Sequence, residues 1–216
     1  MSCNCTSAAI EGTNKFFSKQ AKRYLKRFRK RGLAKEQRLL VEGIKSISLS
    51  GKSVLEIGCG IGGLHLSLLQ QGASFATGID ISEGMLEGAK HLAQELGLES
   101  NTRYLLGDFV QTNGTVEHAD ITILDKVVCC YENLDALLVT SLDKTRHSYA
   151  LSFPKSSFVV KTLFRTTAWL GQMFNWSFAP YWHDWDAMVK TIGRNGFKEA
   201  YRSNTVVWAV HVFERV

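Results

Sequence analysis

Glu56 stands two residues before Gly58 in the run Ser53-Val54-Leu55-Glu56-Ile57-Gly58-Cys59-Gly60-Ile61-Gly62-Gly63, where a short apolar stretch ends in a cluster of glycines. A strand-to-helix turn this tight needs backbone angles and a close approach that a Cβ would block. The helix that follows directs free N–H groups and its positive dipole end at whatever occupies the turn. That is the chemistry of holding a nucleoside cofactor. Gly58, Gly60 and Gly63 satisfy the spacing G-x-G-x-x-G, so on the glycines alone a dinucleotide, and with it a nicotinamide or flavin enzyme, stays open. Glu56 points elsewhere, because a carboxylate at that place would repel a pyrophosphate but suits a cofactor with an ammonium group and a sulfonium. S-adenosylmethionine carries both.

Two further acids stand at the ends of the next apolar runs. Residues 75–79 read as a second strand ending at Asp80, about twenty residues past the turn, where a carboxylate accepts hydrogen bonds from both ribose hydroxyls. Asp80-Ile81-Ser82 leads into a helix with Met85, Leu86, Ala89, Leu92, Ala93 and Leu96 at helical spacing. Residues 102–106 form a third strand that ends in Gly107-Asp108-Phe109, an acid for an adenine amino group beside a ring that covers the base edge.

Together these segments resemble successive motifs of the class I S-adenosylmethionine-dependent methyltransferases: 55–62 at the glycine turn, 78–82 after the second strand, 107–109 after the third. The resemblance covers roughly residues 51–155 and implies a Rossmann-like α/β fold. Its sheet has seven strands, mostly parallel with an antiparallel last strand, and helices on both faces. By it, the turn (Glu56, Gly58, Gly60, Gly62) holds the methionine part, Asp80 the ribose and Asp108 the adenine. Cys59, Ile81, Met85, Phe109 and Asp125 complete the expected cofactor lining.

Methyl transfer is an in-line displacement that needs no metal, only alignment of the acceptor and removal of its proton. The acceptor belongs near the ends of the first and fourth strands. There 120–124 is followed by Asp125-Lys126-Val127-Val128-Cys129-Cys130-Tyr131. The Asn/Asp-Pro-Pro-Tyr/Phe signature of amino-directed nucleic-acid methyltransferases is absent. Tyr131, Cys130 and His183 are the candidate catalytic side chains, with His183 a general base near the site's rim. Cys129 and Cys130 are adjacent, so on extended backbone only one would face the cofactor. Residues 147–153 form the fifth strand, closed by Pro154, and an insertion over 156–180 is rich in large apolar groups, among them Trp169 and Trp176. It reads as a lid or wall for a hydrophobic acceptor, or as an extra core helix. Tyr24, Trp169 and Trp176 are the expected substrate contacts. Asp184 is a plausible N-cap for a helix over 185–192.

A closer similarity joins 24–32, 127–131, 151–155 and 206–208 to small methyltransferases related to the magnesium-protoporphyrin O-methyltransferases of chlorophyll synthesis. The chain departs from that group at Cys130 and Glu132, where histidine and proline are expected. The resemblance implies O- or S-methylation of a hydrophobic or planar small molecule. An RNA-directed methyltransferase and a non-enzymatic S-adenosylmethionine-binding protein are the alternatives.

The elements that must position these groups fit one domain. The chain has 216 residues, 45% apolar and 21% charged, with no run long enough to span a bilayer and no secretory signal pattern. Five cysteines without framework or zinc spacing fit a reducing compartment. A cytoplasmic protein is expected, peripheral to a membrane in one reading. Charge is concentrated: from Lys15 to Arg38 eleven basic residues face Glu36 alone, net +10 within an overall +6. Phe17, Ala21, Tyr24 and Phe28 recur at helical spacing there. Residues 1–50 are therefore a basic amphipathic extension ahead of a domain over 51–216, and the extension reads as a lid over the cofactor, a contact for an anionic membrane surface, or an RNA contact.

Overall fold

The computed structural model describes residues 7–47, 49–173 and 180–216, without the side chains of residues 7–10, 47, 113, 168 and 170–172. Trp176, Cys3 and Cys5 lie outside the described residues. The strands are β1 (Ser53–Ile57), β2 (Phe75–Asp80), β3 (Thr102–Leu106), β4 (Ala119–Asp125), β5 (Thr145–Pro154), β6 (Phe197–Asn204) and β7 (Trp208–Arg215). They form one sheet in the order β3-β2-β1-β4-β5-β7-β6. β1 to β5 run parallel, and β7 enters antiparallel between β5 and β6. The expected sheet is present, and its order reverses between β1 and β4, the switch point at which open α/β sheets bind ligands.

Alternation along the strands sorts the core into two layers. Val54, Ala76, Ile121, Ile123, Ala150, Val210 and Val212 face one layer, while Leu55, Ile57, Ile79, Leu124, Leu151 and Phe213 face the other. The first is covered by α1 (Ser7–Arg31), α2 (Lys35–Ile47), α3 (Gly63–Leu69) and α4 (Glu83–Glu95). The second is covered by the short α5 (Phe109–Thr112), α6 (Leu134–Asp143) and α8 (Trp185–Arg194), and α7 (Phe158–Met173) follows β5. The periodicity of α4 is met: Met85, Leu86, Ala89, Leu92 and Ala93 are all buried. Ser82 caps α4, its hydroxyl accepting from the Met85 N–H, Asn133 caps α6, and Asp184 caps α8 as its position predicts.

The described residues of the N-terminal extension form two helices with different seats. α2 packs across β5, β6 and β7 and brings Leu40 and Ile44 into the core. α1 lies along α4, and its docked stripe meets glycines. Added Cβ atoms at Gly84, Gly88 and Gly63 would stand 3.0 Å from Ser18, 3.2 Å from Leu25 and 2.6 Å from Phe28. The small residues on α3 and α4 are thus what lets α1 approach the glycine turn so closely.

Candidate active site

The first strand, the glycine turn and α3 form the floor. Gly58, Gly60 and Gly62 have φ of 65°, 53° and 76°, the left-handed region that side chains resist. At Gly58 a Cβ would also stand 2.5 Å from Val127 Cγ2, beside the acceptor segment, so this turn can exist only without side chains there. Cys59 uses its backbone, its N–H donating to the Ile79 carbonyl (3.0 Å) and its carbonyl accepting from Gly62 (2.9 Å). Its buried thiol packs behind Gly78.

Glu56 alternates with Leu55 and Ile57 and therefore points to the face covered by α3. It is almost fully buried, and its Oε2 accepts from the His65 N–H (3.2 Å) and faces His65 Nδ1 at 2.6 Å. His65 Nε2 lies 3.0 Å from the Tyr104 hydroxyl. Burial pushes the Glu56 carboxyl above its usual range, opposed by its bonds to His65. Glu56 thus has a partner within the chain, in a buried carboxylate–imidazole pair beside the turn. Neither His65 nor Tyr104 is legible as a site residue in the sequence, because the contact joins β1, α3 and β3.

Asp80 ties the second strand to the turn. Its Oδ2 accepts from the Gly60 N–H (2.7 Å) and its Oδ1 from the Ser82 N–H (2.8 Å). Burial raises its pKa to about 6, against the lowering effect of those N–H donors. Two carboxylate oxygens held in place by backbone donors, each with a second acceptor direction, fit a pair of neighbouring hydroxyls. Met85 lies at the same turn, its Sδ 4.0 Å from where a Gly60 Cβ would be. These glycine cradles and the fixed Asp80 carboxylate fit the nucleoside cofactor expected here. Ile81 joins Asp80 to Ser82 at the head of α4.

At the third strand, Asp108 opens α5 with its Oδ1 accepting from the Val110 N–H (3.0 Å) and from the Tyr131 hydroxyl (2.7 Å). Phe109 is buried beside it. Tyr131 was expected at the acceptor, yet its hydroxyl reaches the acid assigned to adenine. The segment after β4 crosses toward β3 instead of standing straight above its own strand.

That segment begins with Asp125, whose Oδ2 accepts from Gln37 Nε2 (2.9 Å) and whose Oδ1 accepts from the Ser152 hydroxyl (2.5 Å). Lys126 follows with φ 62°, the one non-glycine residue with positive φ among those described, a strained conformation of the kind held at functional sites. Its ammonium is 2.8 Å from Glu36 and 3.5 Å from Asp125 and lies over the Trp208 ring. Burial works to lower the Lys126 pKa, but Asp125 and Glu36 outweigh it and raise it. Glu36, Gln37, Lys126 and Ser152 were not candidates; α2 brings Glu36 and Gln37 in from the far end of the sequence.

Residues 128–130 form a turn, so the expectation that only one cysteine faces inward, drawn for extended backbone, is corrected. Both sulfurs converge, 3.9 Å apart, each directed at the Lys126 carbonyl. The hydrogen bond with Cys129, together with burial, holds the Cys130 thiol well above its usual range, opposite to what a nucleophile needs. His183 Nε2 lies 2.9 Å from the Tyr131 carbonyl. A carbonyl only accepts, so Nε2 carries the proton, and in the neutral ring Nδ1 is left as acceptor. The ring also lines an open recess with Glu132, Asn133, Asp184, Ala187 and Thr191. Cys130, Tyr131 and His183 are therefore joined through one short segment. Tyr24 stands exposed on α1, and Trp169 is on the outward face of α7.

Residues 54–145 match the family model described as a methyltransferase domain. The chain is 31% identical over 140 residues to a ubiquinone biosynthesis O-methyltransferase of Actinobacillus pleuropneumoniae, covering 55% of this chain and 58% of that protein. It is 38% identical over 68 residues to a ribosomal protein L11 methyltransferase of Photorhabdus laumondii, covering 31% of this chain and 23% of that one. The chain thus spans less than two thirds of the length of either. In fold it is similar to the magnesium protoporphyrin IX methyltransferase of Synechocystis PCC 6803, solved with bound SAH, with a TM-score of 0.72 at 23% identity over 94% of this chain and 98% of that one. The turn, the acids and the strand order thus lie on the plan of a methyltransferase fold, and residues 54–145 are similar in sequence to a methyltransferase domain.

Proposed function

We propose that this protein binds S-adenosylmethionine at the glycine turn and methylates an oxygen or sulfur of a hydrophobic or planar small molecule. The observation that carries the reading is the Asp80 carboxylate, fixed between the Gly60 and Ser82 N–H groups at the sheet's switch point. The family implies a cofactor that supplies a methyl group already activated on sulfonium. What remains for the chain is binding, exclusion of water and one proton. The turn at 58–62 and α3's N-terminus cradle the methionine part, Asp80 accepts from the ribose, and Asp108 with Phe109 and Tyr131 closes around the base. α1, seated on Gly63, Gly84 and Gly88 by close contact, serves as the lid over 51–216. The polar set Glu36, Gln37, Asp125, Lys126 and Ser152 orients the acceptor end. His183, with Nδ1 left to accept, takes the acceptor's proton as the methyl leaves sulfur.

The relatives named for ubiquinone biosynthesis and magnesium protoporphyrin IX support a large planar or hydrophobic acceptor. The relative named for ribosomal protein L11 shares only the shorter stretch around the cofactor motifs. Calorimetry with S-adenosylhomocysteine and NADH tests the cofactor, and a screen of quinols, phenols, thiols and porphyrin carboxylates with labelled methyl donor tests the acceptor. Binding of NADH in place of S-adenosylhomocysteine would overturn the first part, and label on RNA alone would overturn the second.

A further inference from the structure

Helix α7 is built the wrong way round for a helix facing water. Val160 and Phe164 turn inward, Phe164 against Trp182 and Trp208, while the outward face carries Phe158 (84% exposed), Val159 (75%), Leu163 (54%), Trp169 (60%) and Met173 (53%). Its 16 residues include no acid, only the cations Lys161 and Arg165. Contiguous exposed apolar surface of this kind marks a contact site.

Helix α1 supplies the complementary feature. Ser18, Ala21, Leu25 and Phe28 are spent on docking, so Lys19, Lys22, Arg23, Lys26, Arg27 and Lys30 are left exposed. Arg29 is neutralised by Glu95 at the α4 side. The two helices flank one place. Lys126 pairs with Glu36 at the head of α2, directly after α1, Lys126 lies over Trp208, and Trp208 meets Phe164 of α7. A cationic helix and an apolar helix thus border the mouth where β4 and β5 end.

We infer that α1 and α7 dock this protein on an anionic lipid bilayer, α1 against the headgroups and the outward face of α7 in the headgroup–acyl boundary. A lipid surface offers charge and hydrocarbon side by side, which both helices use. RNA would engage the cations but gain nothing from Val159, Leu163 and Met173. In combination with the function proposed above, docking sets the acceptor mouth on the bilayer, so that a hydrophobic acceptor enters without crossing water.

The test is co-flotation of the full chain with phosphatidylcholine vesicles, with and without phosphatidylglycerol. The chain is expected to float only with the anionic vesicles. Replacing Lys19, Lys22, Lys26 and Lys30 by Ala should weaken this by up to roughly 1000-fold, from an about fivefold contribution of each cation near the surface. Val159→Ser with Leu163→Ser should weaken it at low and high salt alike while leaving S-adenosylhomocysteine binding unchanged, which shows the variant folded and separates docking from the cofactor reading. Failure to float overturns the proposal. So does flotation that the Val159/Leu163 variant leaves intact, or salt-sensitive RNA retention stronger than vesicle retention, since either would make α1 a general polyanion contact.

Discussion

Asp80 makes the cofactor site pH-sensitive in a predictable direction. Burial raises its pKa from the ordinary 3.8 to about 6 in the ligand-free chain, a shift of about two units that disfavours the charged form by roughly 3 kcal/mol. Ribose hydroxyls donate, so they favour the ionised carboxylate, and binding of S-adenosylhomocysteine should release a proton wherever Asp80 is partly protonated. At about pH 5 only about one Asp80 in ten is ionised, so affinity should fall about tenfold, ~1.4 kcal/mol, relative to about pH 8. The stability of the free chain runs the other way. A carboxyl whose folded pKa lies above its unfolded value binds the extra proton when folded, so its contribution becomes less favourable as pH rises from about 4 through about 6 and stays unfavourable above. The thermal shift conferred by S-adenosylhomocysteine should therefore grow with pH across that window. Titration calorimetry at several pH values, in buffers of different ionisation enthalpy, reads both affinity and the released proton. Asp80→Asn should lose about 1.5–3 kcal/mol of binding at neutral pH and flatten the profile. An affinity independent of pH, or one that rises on acidification, would refute the placement of Asp80 on the ribose.

Gly58→Ala combines a left-handed φ with a Cβ 2.5 Å from Val127, and should cost about 2–4 kcal/mol in urea denaturation and abolish cofactor binding. His65→Ala removes the imidazole facing Glu56 and leaves only the backbone N–H as its donor, and should destabilise by about 1–3 kcal/mol, whereas Glu56→Gln, neutral and still hydrogen-bonding, should cost less; a Glu56→Gln loss as large would refute this. Deleting residues 1–31 should weaken cofactor retention while circular dichroism keeps the sheet's signal. Once an acceptor is found, His183→Ala should lower turnover at saturating acceptor by about 10²–10⁴-fold, while Cys130→Ser stays mild; loss of turnover in the cysteine variant alone would move the chemistry to sulfur.

The glycine turn, the acids at 80 and 108 and the helix after residue 82 were legible in the sequence, because each rests on local physics. A strand that must turn sharply needs glycine, an α4 face repeats every three or four residues, and an acid at a strand's end lies at the edge where ligands sit. The basic helix was legible too, since charge and period are both written along the chain. What tertiary structure decided were contacts between distant segments. Glu56 meets His65 because strand alternation and the seat of α3 bring the two together. Tyr131 reaches Asp108 because the segment after β4 bends toward β3. The two cysteine sulfurs converge because 128–130 turn rather than extend. Glu36 and Gln37 meet Lys126 and Asp125 at the end of β4 because α2 packs on β5 to β7. The sequence also placed a mass of apolar side chains in 156–180, but which of them face the core is a matter of how α7 is rotated against Trp182 and Trp208. That rotation turns Val159 and Leu163 to the outside. Spacing along a chain determines which residues share a face; only packing determines what that face meets.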